Sequence, residues 1–240
     1  MASLYRYVIK QVGARILALQ GGQAAAAATA YDATTWASAR FPVNLIVDTI
    51  TDAVGNFAQV IAETAEHPFR RYLQAQTANI AHKGQIPATD SGGKDIIGIY
   101  GAVRDATDSI PLTEKPLQYI TRCVRLRAGG ELGLPVYHFA RVDGRLYHTR
   151  DNVIVEVCSF DRDAERALIL AEVTGTPGNS MLLPDSLLAA VVAETLAMLV
   201  QGDEFVQQAQ HYRGFADSVK AQIRSGLVSV SSDIPEVEGQ

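Results

Sequence analysis

Cysteine is scarce in this chain: Cys123 and Cys158 are the two in 240 residues, far apart and without C-x-x-C spacing. That excludes a scaffold framed by several disulfides. Both fit small buried apolar residues in a reducing compartment, and nothing requires them to pair. Positive charge is in deficit, with 21 Lys and Arg against 26 Asp and Glu and a net charge of −5. A mildly acidic chain is a poor general binder of nucleic acid, whose affinity rests largely on neutralising phosphates. Arg70-Arg71 and Arg122 to Arg127 are the local basic clusters, read as solvated faces or subunit contacts. No apolar run approaches the eighteen or so residues of a membrane span. Lys10, Arg15 and Ile16 to Leu19 invite a signal-peptide reading, but the apolar stretch is short and stops at Gln20-Gly21-Gly22-Gln23, so a cytoplasmic product is expected.

With 48% hydrophobic and 20% charged residues, the composition is that of a folded domain with a sizeable core. The most informative stretch is Leu183 to Gly226. Pro184, with Asp185 and Ser186, opens a helix from Leu187 to Val200 that is apolar nearly all round, hence buried nearly all round. Gly202-Asp203 breaks and restarts the chain, Asp203 serving as N-cap. Phe205, Ala209, Tyr212, Ala216, Val219 and Ile223 then recur at four- and three-residue steps, a one-sided stripe that ends near Arg224 and Gly226. A central helix covered by an amphipathic one is expected.

Earlier in the chain, Val8, Val12, Ile16 and Leu19 predict a helix over Tyr5 to Leu19. The Ala24 to Ala30 tract is helix or linker. Pro42 opens a helix whose apolar face is Val43, Ile46, Val47, Ile50, Val54, Phe57 and Ile61, with a kink expected at Gly55 and an end at His67-Pro68. His82 to Pro116 reads as long and irregular, with a short strand at Ile96 to Tyr100. A short helix is expected from Pro116 to Cys123. Tyr137 to Val142, Asp143-Gly144 and Arg145 to Tyr147 carry a strong hairpin signal, because both turn positions need positive φ. Val153 to Phe160 adds a third strand to that sheet, and Asp161 to Ala171 follows as a short helix, or as a helical turn and strand. Leu227 to Gln240 reads as an extended tail. The expected fold is therefore mainly α: a helical bundle with a small antiparallel β hairpin or sheet insertion. Its parts are an N-terminal helical region (1–134), the β insertion (135–181), a C-terminal helix pair (182–226) and the tail (227–240).

Catalytic signatures are few. Ser91-Gly92-Gly93-Lys94 superficially matches a phosphate loop, but Ala88 and Asp95 stand where the motif needs Gly and Ser or Thr, so a plain loop is expected. None of His67, His82, His138, His148 and His211 lies three or four residues from another, so a helical two-histidine zinc site is absent. His138 and His148 are expected to face each other across the hairpin with Asp151 nearby. That trio is the best candidate for metal binding or acid–base work, although polar residues on the solvent side of a small sheet explain it more simply. There is no G-x-S-x-G elbow and no catalytic cysteine context. Asp161 and Asp163 read as solvated or capping carboxylates.

The block Tyr137-His138-Phe139-Ala140-Arg141-Val142-Asp143-Gly144-Arg145-Leu146-Tyr147, followed by Leu183-Pro184-Asp185-Ser186-Leu187-Leu188 and then Gly202-Asp203, Tyr212 and Lys220, resembles the head-to-tail adaptors of tailed bacteriophages. The resemblance covers roughly Pro135 to Ile223. It implies a non-enzymatic structural protein without cofactor or metal, located in the virion after assembly in the bacterial cytoplasm. By the same resemblance, about a dozen copies form a ring under the portal protein and join it to tail or nozzle components, with double-stranded DNA passing through the channel unbound. No membrane is involved. Arg213, Lys220 and Arg224 are then expected on the outside of the bundle, meeting neighbours or the portal. Leu227, Val228, Val230 and Ile234 of the tail are expected to extend onto a neighbouring ring. The alternatives are a regulatory helical module that binds a partner through the Phe205 to Ile223 stripe, and a hydrolase built on His138, His148 and Asp151.

Overall fold

In a computed structural model the described residues are 4–19, 40–64, 69, 73–90, 92–130, 136–174, 181–200 and 206–226. The Ala24 to Ala30 tract, His67-Pro68, Arg70-Arg71, Ser91, Gly202-Asp203, Phe205 and the tail residues Leu227, Val228, Val230 and Ile234 lie outside them. The chain divides into two compact units. One joins residues 1–73 to residues 161–240, and the other spans 74–160.

The first unit is helical. Helix α1 (Leu4–Leu19) buries Tyr5, Val8, Ile9, Val12 and Ile16 on one face. Helix α2 (Val43–Glu63) starts after Pro42 and buries Ile46, Val47, Ile50, Val54, Phe57 and Ile61. By length and composition α2 is apolar enough to cross a bilayer, but 67% of that window is buried within the protein, the mark of a core helix. Helix α4 (Arg162–Val173) is capped by Asp161, whose Oδ1 accepts from the Ala164 amide at 2.9 Å. Two ion pairs tie α4 to α2 one turn apart, Arg162 to Asp52 at 2.8 Å and Arg166 to Asp48 at 2.6 Å. A 3₁₀ turn (Asp185–Leu187) behind Pro184 leads into helix α5 (Leu188–Leu199), buried at every position from Ala189 to Ala197. Its Thr195 hydroxyl answers to the Val191 carbonyl at 2.8 Å, so it costs the core no orphan donor. Helix α6 (Val206–Arg224) lays Tyr212, Ala216, Val219 and Ile223 inward and stops at Gly226, whose φ of 80° only glycine adopts without penalty. Helix α5 packs on α1, α2 and α6, the expected central position.

The second unit overturns the mainly-α expectation: the fold is mixed α/β, with two sheets instead of one small hairpin. Strands β1 (Gln74–Ala81), β3 (Asp95–Asp105) and β7 (Asn152–Phe160) form an antiparallel sheet in the order β1-β7-β3. Strands β2 (Gly84–Gln85), β6 (Arg145–His148), β5 (His138–Val142) and β4 (Thr113–Glu114) form the other, in that order. Helix α3 (Leu117–Ala128) runs one turn beyond its expected end. The strand at Val153 to Phe160 exists, but it is the centre of the first sheet and does not extend the hairpin. The stretch read as irregular between His82 and Pro116 supplies β2, β3 and β4. The short strand expected at Ile96 to Tyr100 lies within β3, which runs on to Asp105; two register shifts, between Ile96 and Gly98 and between Ile99 and Val103, interrupt the alternation that would have shown its full length. Both sheets feed one core of Ile80, Val103, Leu112, Phe139, Leu146, Val153, Val155 and Val157.

Candidate functional site

The hairpin forms as expected: Asp143 and Gly144 have φ of 49° and 70°, and β5 pairs with β6 through Phe139 opposite His148. That register separates His138 from His148. The Thr149 amide donates to the His138 carbonyl at 3.0 Å, so His138 stands opposite Thr149, one residue out of step with His148. Successive side chains on a strand point to opposite faces, so His138 and His148 point apart. His138 lies edge-on to the Tyr119 ring at 5.2 Å, with its Nδ1 buried and unpartnered. The expected facing of the two histidines is thus corrected by one residue of register.

His148 instead meets His82, which follows β1, with ring centroids 5.4 Å apart. Its Nδ1 lies 2.8 Å from the Arg150 carbonyl, while Nε2 is buried without a well-aligned partner. Burial holds the His148 imidazole below its usual pKa and the neighbouring His82 adds to this, against partial opposition from the Ala81, Arg150 and Ile80 carbonyls. Among the described residues no three His, Cys, Asp or Glu side chains converge to hold a metal ion.

These residues line a cleft of about 450 Å³ together with Val124, Arg127 and Ala128 of α3, Thr149, Arg150 and Asp151. Arg127 reaches across it: Nη1 donates to the Thr149 carbonyl at 2.8 Å, and Nη2 lies 3.5 Å from Asp151. Beside the cleft, Asp105 is buried under Arg150, whose Nε donates to its Oδ2, and it accepts from the Thr107 amide at 2.7 Å and the Asp108 amide at 3.2 Å. Burial alone would raise the Asp105 pKa; those donors overcome it and hold the carboxyl low. Arg150 also stacks over Tyr137 at 4.7 Å, and the Tyr137 hydroxyl donates to Asp108, which pushes the phenol up. This cluster is satisfied from within and clamps the turn after β3. The chemistry left at the cleft is that of an arginine and a histidine beside an apolar wall, suited to an anionic group.

The glycine loop before β3 is closed to phosphate. Asp90 Oδ1 accepts from the amides of Gly92 at 2.8 Å and Lys94 at 3.0 Å, occupying donors a phosphate would need, and these bonds hold its pKa below the usual carboxylate range. Cys123 and Cys158 are both free and buried. On α6, Arg213 and Arg224 are exposed, but Lys220 turns inward. Its side chain is 14% exposed, and Nζ lies 2.7 Å from Glu194 of α5 and 5.4 Å over the Phe57 ring, with Asn56 of α2 donating to the same carboxylate oxygen at 3.0 Å. Lys220 therefore joins three helices and does not face outward. His82 and Asp105 were not among the sequence candidates. A charged residue at a strand end next to an Asp-rich turn was the available signal for Asp105; for His82, nothing in its neighbours announced the pairing.

No family model and no curated protein matches the chain.

Proposed function

We propose that the protein is a structural head-to-tail adaptor of a tailed phage virion, acting as a ring that docks under the portal protein and carries tail components. The observation that carries this reading is the chain order. Helices from both ends of the chain build one unit around α5, a β unit is inserted between Gln74 and Phe160, and buried Leu183-Pro184 opens the apolar helix. The resemblance likewise has a hairpin before the Leu183-Pro184 helix and a long final helix after it, although the β unit begins at Gln74, inside the region expected to be helical; as fold-level analogy this supports the reading without specifying a site. Two further features support it. Register takes His138 away from His148 and Asp151, which line one cleft without it, and the described part of the α6 stripe that a regulatory module would offer to a partner (Tyr212, Ala216, Val219 and Ile223) is spent inside its own helical unit.

The purified full chain, examined by native mass measurement and negative-stain imaging, is expected to give a closed ring of about a dozen copies, alone or with portal protein, since identical head-to-tail contacts close by rotation. A chain that stays monomeric or dimeric even with portal protein present would count decisively against it.

A further inference from the structure

We propose that the cleft beside α3 receives the acidic segment Asp233 to Glu238 of a second copy of the chain; this rests on the assembly reading above and specifies one of its contacts. Helix α3 carries Arg122, Arg125 and Arg127 and no acidic residue. Arg122 and Arg125 are exposed and make no ion pair among the described residues. Arg127 is held by the Thr149 carbonyl with its guanidinium at the cleft. The carboxylate beside it, Asp151, is 88% exposed at 3.5 Å, a contact worth little and easily displaced. Val124 and Ala128 supply the apolar wall, and His82 a further polar edge.

The complement lies in the sequence beyond α6. After Arg224 the chain has no Lys or Arg, and its charged residues are Asp233, Glu236 and Glu238, with Ile234 and Val237 between them. Carboxylates alternating with branched apolar residues match a cleft that sets the Arg127 guanidinium beside Val124 and Ala128, on a helix that also carries the exposed Arg122 and Arg125. The fourteen residues after Gly226 could span up to roughly 50 Å if fully extended, the reach available for a contact in trans. Duplex DNA is the weaker match for this face, because three arginines in a net-acidic chain neutralise few phosphates.

The test is charge exchange in the full-length chain, followed by sedimentation velocity across a concentration series at low and high salt. Arg125→Glu with Arg127→Glu, and separately Asp233→Lys with Glu236→Lys and Glu238→Lys, are each expected to weaken self-association about tenfold or more. Mixing the two reversed chains restores it in trans, and Asp151→Asn, which frees Arg127, strengthens it. Because losing the Arg127 bond to Thr149 disturbs the hairpin, Arg122→Glu with Arg125→Glu serves as the second variant; it breaks no ion pair among the described residues. A wild-type chain that does not self-associate, reversals without effect, or rescue confined to a monomeric doubly reversed chain would each overturn the proposal. So would α3 reversals that spare self-association and abolish retention on duplex DNA. Charge-governed association of a chain that never joins particles removes the adaptor reading alone. Rings on particles indifferent to both reversals remove this contact alone.

Discussion

Glu165 is the residue whose environment most visibly conflicts with its chemistry. It sits on α4 at 9% exposure, accepting from the buried Tyr5 hydroxyl of α1, and burial pushes its pKa up to about 7. Because the folded state holds this proton more tightly than an unfolded glutamate does, the native state binds more protons between about pH 4.5 and 7. Stability is therefore fully present at the acid end of that window and falls as pH rises through it, by up to about 3 kcal/mol if the other carboxylates are silent. Glu165→Gln is expected to leave stability near pH 5 unchanged and to raise it at pH 8, read from urea midpoints. Equal midpoints for both proteins at pH 8 would refute the assignment. The sequence marked Glu165 only as part of a short helix, since desolvation by a partner 160 positions away leaves no local trace. The same limit governed His138 and His148. Their presence on a hairpin was legible, but whether they face one another depended on one residue of register.

Among elements, those written by strong local rules were readable. The three-residue and four-residue steps of α1, α2 and α6, the all-apolar run of α5 and the Asp143-Gly144 turn each carried their own geometry. The turn's demand is testable. Gly144 has φ of 70°, and an added Cβ would come within 3.0 Å of the Gln85 side-chain amide nitrogen. That flexible group can move, so the backbone conformation dominates, and Gly144→Ala is expected to cost roughly 1–2 kcal/mol by chemical denaturation. An unchanged midpoint would mean the turn relaxes to another type. Strand β1, Gln-Ala-Gln-Thr-Ala-Asn-Ile-Ala, was not foreseen, because it has one large apolar residue and low β propensity. It is a strand because β7 pairs with all eight of its residues. Tertiary pairing overrode composition there, and the bulges of β3 left only its Ile96 to Tyr100 part legible.

For the whole molecule, the sequence conveyed the helical unit better than the division of the chain. One unit assembled from both ends, with the other inserted between them, can be seen only once Asp48 and Asp52 meet Arg166 and Arg162 across more than a hundred residues. That arrangement leaves α5 enclosed by α1, α2 and α6, with Glu194 and Lys220 satisfied among them, so the helical unit has spent its polar interior on itself. The functional account then rests on assembly. The measurement that tests it most directly is sedimentation of the native protein from its source lysate after nuclease treatment. The account predicts that it travels with DNA-filled particles and survives the nuclease. A sharp peak at monomer or dimer mass, with none on particles, would contradict it.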